Sequence, residues 1–169
     1  MVSNRNVYTV AYNLGMCYLS TIQPSPNYAV MFDIDDTLLN TKNDKGIQPM
    51  IQLLHEINKL GIKVMIITAR DSIHTQGTIE DLIKIGIYPN NGNIHYDYLY
   101  LRNSPQDNHE LFKSNIKQKF AKHGIYTIMS IGDNDIDVIG NYSGYAIKLP
   151  NINDPRLFHN FNGKMVQVK

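Results

Sequence analysis

Apolar positions recur along the chain in two alternating rhythms, and the alternation predicts an architecture. Val7, Val10, Ala11, Leu14 and Tyr18 fall near helical spacing, which predicts an N-terminal helix ended by the Pro24 and Pro26 region. Tyr28 to Ile34 is then a short apolar run that halts at carboxylates, as a buried parallel strand does when it opens onto a polar edge. From Ile47 onward, Met50, Ile51, Leu53, Leu54, Ile57 and Leu60 return every three or four positions. Gly61 follows where a helix-ending glycine belongs, so a helix is expected there. Ile62 to Ile67 predicts a second buried strand, ending at Thr68, Ala69 and Arg70.

The same alternation repeats. Ile79, Leu82, Ile83 and Ile85 mark a helix ending at Gly86, and Tyr98 to Leu101 a strand that stops before Arg102. Leu111, Phe112, Ile116 and Phe120 mark a helix running to Gly124, followed by strands at Tyr126 to Ile131 and Tyr145 to Leu149. Strand alternating with helix predicts an α/β fold, a doubly wound parallel sheet of about five strands with right-handed crossovers. At 169 residues one domain suffices, with residues 1–27 as a helical segment packed on a core spanning 28–169. In such sheets ligands bind outside the carboxyl ends of the strands. Three of those ends carry Asp33 and Asp35, Thr68, and Asp133.

Composition narrows the function classes. With 43% hydrophobic and 18% charged residues the chain reads as soluble and globular. A net charge of +1 with no dense Lys/Arg block gives no footprint for a nucleic-acid backbone. No run approaches the roughly 20 apolar residues of a membrane span. Val7 to Ile22 is interrupted by Asn13, Gly15 and Ser20 and lacks a basic start, so it reads as structure rather than a signal, and a cytoplasmic location is expected. Cys17, the one cysteine, excludes an intramolecular disulfide and a multi-cysteine zinc site, and reads as a buried, inert thiol.

Candidate chemistry gathers at the strand ends. Asp33 and Asp35, two residues apart, can face one cleft and hold different tasks, although Asp-rich turns are also common as caps. Thr68 suits a polar contact at the cleft or, more often for such a residue, a helix N-cap. Lys113 suits neutralisation of an anion or a solvated helix face. Arg70 and Arg102 follow strand ends on the same edge and suit substrate contact or surface ion pairing. The six histidines show no metal-ligand spacing and receive no role.

Taken together these residues carry a resemblance. FDIDDTLLN resembles motif I of the haloacid dehalogenase superfamily, ITAR motif II, LFKS motif III and GDNDID motif IV, in the right order and over about Tyr28 to Asn151. The segments TARDSIHTQGTIEDL, YLRN, FKSNIKQKF and SIGDNDIDV look most like the class B and plant-type acid phosphatase branch. The resemblance implies that Asp33 is a nucleophile forming a phosphoaspartate and Asp35 the general acid and base, with Thr68 and Lys113 assisting. It implies Mg²⁺ held by Asp33, the Asp35 carbonyl and Asp133, with Asp137 just outside and Asp135 its rival for that place. Asp36 and Thr37 read as turn residues.

Leu38 to Gln48 is too short for a folded cap, and the span between Thr68 and Lys113 is taken up by a helix, a loop and a strand. A site without a large cap is therefore expected, open to small or macromolecular phosphorylated substrates. Water exclusion would fall to loops, the N-terminal helix or a second copy in a homo-oligomer. Two rivals remain: a receiver-type signalling domain, whose order of acids differs, and a non-catalytic relative that only binds phosphorylated ligands.

Overall fold

The computed structural model describes residues 6–90 and 92–169. The first five residues of the expected 1–27 segment lie outside the described residues. Helix α1 (Val7–Leu19) is capped by the Asn6 side chain, which accepts from the Tyr8 N–H at 3.0 Å. Strand β1 (Tyr28–Phe32) leads into the acidic turn, then the small hairpin β2 (Leu39–Asn40) and β3 (Lys45–Gly46). Next come α2 (Gln48–Lys59), β4 (Lys63–Asp71), a short 3₁₀ turn and α3 (Thr75–Lys84). The paired strands β5 (Tyr88–Pro89) and β6 (His95–Tyr96) precede β7 (Tyr98–Arg102). Then follow α4 (Phe112–Lys122), β8 (Tyr126–Gly132), the short α5 (Asp135–Val138), β9 (Tyr145–Lys148), β10 (Phe158–Phe161) and β11 (Lys164–Gln167).

The main sheet has seven strands in the order β11-β10-β9-β8-β1-β4-β7. The five from β7 to β9 pair in parallel, as expected, and β10 and β11 add an antiparallel hairpin. Alternate residues of each central strand feed opposite faces. Val30, Phe32, Val64 and Ile66 join the cluster that includes Ala11, Leu53, Leu54 and Leu82 of α1, α2 and α3. Ala29, Met31, Met65 and Ile67 pack instead with Phe112 of α4, backed by Ile116 and Phe120. Helices on both faces make the sheet doubly wound, and no cap domain occurs among the described residues.

Three departures have physical reasons. Cys17, expected to be buried, is exposed. The buried stripe of α1 is Ala11, Gly15 and Leu19, so Cys17 falls with Thr9 and Asn13 on the outward face. Helix α3 starts at Thr75, four residues before its apolar pattern does, because its first turn is exposed and needs no apolar residue. The C-terminal hairpin has no counterpart among the expected elements. Its turn is Asn162-Gly163, with φ of 51° and 79°, the left-handed pair that suits a two-residue hairpin turn.

Candidate active site

Because the chain runs outward from β1 through β4 to β7 and returns to β8 on the other side, the sheet switches direction between β1 and β8. The carboxyl ends there open into a cleft of about 550 Å³ lined by Asp33, Asp35, Thr68, Lys113, Asp133 and Asp137. The volume lies within the usual range for small-ligand sites. Six of the sequence-derived candidates thus converge on one place.

Asp33 follows β1 directly, and its N–H donates to the Ile131 carbonyl at 3.0 Å, which extends the pairing with β8 into the site. Its buried carboxylate accepts from Lys113 Nζ at 2.8 Å. Lys113, in the first turn of α4, also donates to Asp137 Oδ1 at 2.6 Å. The other Asp137 oxygen accepts from the Asn134 N–H at 3.0 Å, in a capping box that fixes α5 just beyond β8. Asp133 is anchored through its main-chain carbonyl, which accepts from Asn151 Nδ2 at 2.7 Å. Of the two candidate acids in this turn, Asp137 joins Asp33 and Asp133 while Asp135 is exposed on the cleft wall.

Oxygen atoms of Asp33, Asp133 and Asp137 lie within 4.8 Å of one another. Burial pushes the Asp33 carboxyl well above its ordinary range, and Asp137 adds repulsion that Lys113 only partly offsets. Asp133 is pushed up to about 6, again by burial first and Asp137 second. Burial alone would lower Lys113, but the Asp33 and Asp137 carboxylates outweigh it and raise it. Three buried carboxylates around one ammonium are therefore short of positive charge. An all-oxygen, anionic donor set of this kind suits a hard divalent cation such as Mg²⁺.

Around this centre the structure places the remaining candidates. Asp36, at φ 55°, holds its loop by accepting from the Thr41 N–H and hydroxyl at 3.0 and 2.8 Å, and the Thr37 N–H closes the turn on the Ile34 carbonyl at 3.1 Å. Thr68 is buried, its hydroxyl accepting from the Arg70 N–H at 3.2 Å. Arg70 does not line the cleft. Its guanidinium is turned onto Asp35 and Asp81. Arg102 also stands off the lining, with Nε 3.5 Å from the Ala69 carbonyl.

Sequence reasoning passed over four residues that matter here. Lys117, fully buried one turn after Lys113, donates to the Asp137 carbonyl at 2.6 Å and Ser143 Oγ at 3.0 Å. Burial pushes it down to about 7, against attraction from Asp137 and with repulsion from Lys113. Its signal was present: a lysine at i+4 from Lys113 on a core-facing helix. His109 and Glu110 line the cleft mouth from the loop before α4, and Asn151 reaches in from beyond β9; nothing in their spacing announces them.

A doubly wound sheet with this cluster at its switch point defines a haloacid dehalogenase-type core. The chain belongs to that superfamily (HAD), in subfamily IIIB, the acid phosphatases, whose family model matches residues 40–154. The matched span begins after Asp33 and Asp35, so those two rest on the motif itself and on their place in the fold. Acid phosphatase 1 of Solanum lycopersicum is 26% identical over 151 residues, covering 72% of this chain and 56% of its own length. Vegetative storage protein 1 of Arabidopsis thaliana is 24% identical over 148 residues, covering 72% of this chain and 53% of its own length. The chain spans about half the length of these relatives. The class C acid phosphatase from Bacillus anthracis superposes with a TM-score of 0.63 at 17% identity, over 79% of this chain and 64% of its own. A Pnkp1/Rnl/Hen1 complex gives a TM-score of 0.59 at 17% identity, over 73% and 46% respectively. At such identities the structural likeness speaks for the fold alone.

Proposed function

We propose that the chain is a Mg²⁺-dependent phosphomonoester hydrolase that works through a phosphoaspartate on Asp33. One observation carries the reading: Lys113 bridges Asp33 and Asp137 beside Asp133, all buried at the switch point of an acid phosphatase-family sheet. Lys113 orients the Asp33 carboxylate and offsets its repulsion from an incoming phosphate dianion. In the first displacement an Asp33 oxygen bonds to phosphorus as the ester P–O bond breaks, and the departing oxygen takes a proton from Asp35. In the second, a water oxygen bonds to phosphorus, the Asp33 O–P bond breaks, and the water's proton returns to Asp35. The Thr68 hydroxyl, with nearby backbone N–H groups, receives a phosphoryl oxygen as its charge grows.

Asp33, Asp133 and the Asp35 carbonyl are the groups to hold Mg²⁺, with Asp137, already engaged by Lys113 and Asn134, in support. When bound, the ion supplies neutralisation of the phosphoryl charge. Among the described residues no cap covers the cleft, so small and macromolecular phosphomonoesters can both reach Asp33. The test is hydrolysis of p-nitrophenyl phosphate with Mg²⁺. Turnover should vanish with a chelator and in Asp33→Asn, which keeps the side chain's shape and removes its charge. Unchanged turnover in Asp33→Asn would refute the mechanism.

A further inference from the structure

We infer that Arg70, anchored by Asp81, is a positioning residue that holds Asp35 in its working orientation; this rests on the reading of Asp35 as the proton-transfer group. The geometry is specific. Arg70 Nε lies 3.0 Å from Asp35 Oδ2 and Nη2 lies 2.7 Å from Asp35 Oδ1, so the fork takes both carboxylate oxygens. The third nitrogen, Nη1, is 2.9 Å from Asp81 Oδ2 and 3.4 Å from Thr78 Oγ1. Every guanidinium nitrogen is thereby bound to this chain's own side chains.

Position supports the same role. Asp35 lines the cleft, whereas Arg70 lines a separate depression with Thr78 and Asp81 on the α3 side, so it reaches Asp35 from behind. Thr78 is fully buried and Asp81 stands three residues further along α3, so both anchors are carried by one helix packed on the core. Asp35 itself lies outside every named strand and helix, in the loop between β1 and β2, where its backbone makes a single bridge to Leu39. Among the described residues the only hydrogen bonds to its carboxylate are the two from Arg70, and a two-point fork fixes both oxygens. Lysine, a single point of charge, cannot reproduce that restraint.

Loss of Arg70 should therefore mimic loss of Asp35 in kind. An alkyl phosphate must expel a basic alkoxide and needs the proton that Asp35 delivers, whereas p-nitrophenyl phosphate does not. In Arg70→Gln, kcat for glycerol 2-phosphate should fall about 10- to 100-fold, below the ~10² to 10⁴ that full proton transfer is worth. With p-nitrophenyl phosphate the first displacement should stay within about threefold, and slow second-step turnover should appear as a burst of nitrophenol. KM for glycerol 2-phosphate should move little, whereas KM for p-nitrophenyl phosphate should fall together with kcat, because kcat/KM then reports the first displacement alone. Arg70→Lys should recover only part of the loss, and Asp81→Asn should show a weaker form of the same pattern. Asp35→Asn combined with Arg70→Gln should be no slower than Asp35→Asn alone, because two residues acting through one group do not add.

Additive losses in the double variant, or a rise in KM shared by aryl and alkyl esters with kcat intact, would overturn the assignment and make Arg70 a substrate contact. If Arg70→Gln fails to fold, the part-exposed Asp81→Asn decides the question: normal alkyl turnover in it would also overturn the assignment. Absence of turnover in the unsubstituted protein with both esters would instead refute the phosphatase reading on which the role depends.

Discussion

At the scale of single residues, the site is held by a balance of charge that a cation should tip. Asp133 binds its proton more tightly in the folded chain, at about 6, than in an unfolded one, at 3.8. Without metal, its contribution to stability is full below about pH 4 and is lost as pH rises through 6. A divalent ion competes with that proton, so it should bind and stabilise more strongly at pH 7.5 than at pH 5. At a free concentration of about one hundred times its Kd, Mg²⁺ should add about 2.7 kcal/mol. For a domain of this size that is roughly 5–10 °C in Tm. Asp133→Asn should lose most of the Mg²⁺-induced rise while keeping the fold. Equal Mg²⁺ shifts at the two pH values in a thermal melt would show that these carboxylates do not hold the ion.

At the scale of elements, the strands and their polar ends were legible because two central buried runs stop at a carboxylate of the cleft: Phe32 before Asp33, Gly132 before Asp133. The partners of those residues were not legible. The bridge from Lys113 to Asp137 depends on how α4 docks beside α5, and the turn of Arg70 toward Asp35 depends on α3 presenting Thr78 and Asp81 to it. Neither docking leaves a local pattern. The C-terminal hairpin did leave one, in Asn162-Gly163, but of its flanking strands β10 is half-buried and β11 largely exposed, with no clean alternation. The crossing of α1 and α2 is a case where a single residue decides the fit of two elements. A side chain at Gly15 would place its Cβ 2.7 Å from Leu53 Cδ2, so the fully buried Leu53 side chain would have to shift within the core. Gly15→Val should therefore cost about 1–3 kcal/mol in chemical denaturation. Shortening the obstacle by Leu53→Val in the same chain should recover part of it; a double variant no better than the sum of both losses would mean that the crossing does not set the strain.

At the scale of the whole molecule, a cleft that no cap covers among the described residues leaves selectivity to the charge around its mouth. A dication together with Lys113 would offset Asp33, Asp133 and Asp137, and Arg70 already offsets Asp35. Asp36, Glu110 and Asp135 then stand uncompensated on the lining, where Lys113 is the only lysine or arginine among the described residues. Each such carboxylate repels a further anionic charge by roughly 0.5 kcal/mol at about 8 Å in water. A substrate bearing a second phosphate should thus be hydrolysed with kcat/KM on the order of 10-fold below that of a monophosphate of the same skeleton with a neutral leaving group, at low ionic strength. Because the Debye length is about 8 Å at 0.15 M salt, added salt should narrow the gap. Glu110 and Asp135 are both exposed, so charge reversal is tolerable to the fold, and Glu110→Lys with Asp135→Lys should narrow it further or invert it. The comparison needs only propanediol monophosphate and propanediol bisphosphate titrated in parallel. A preference for the bisphosphate that salt does not change would mean that the leaving group is recognised by shape, away from these three carboxylates.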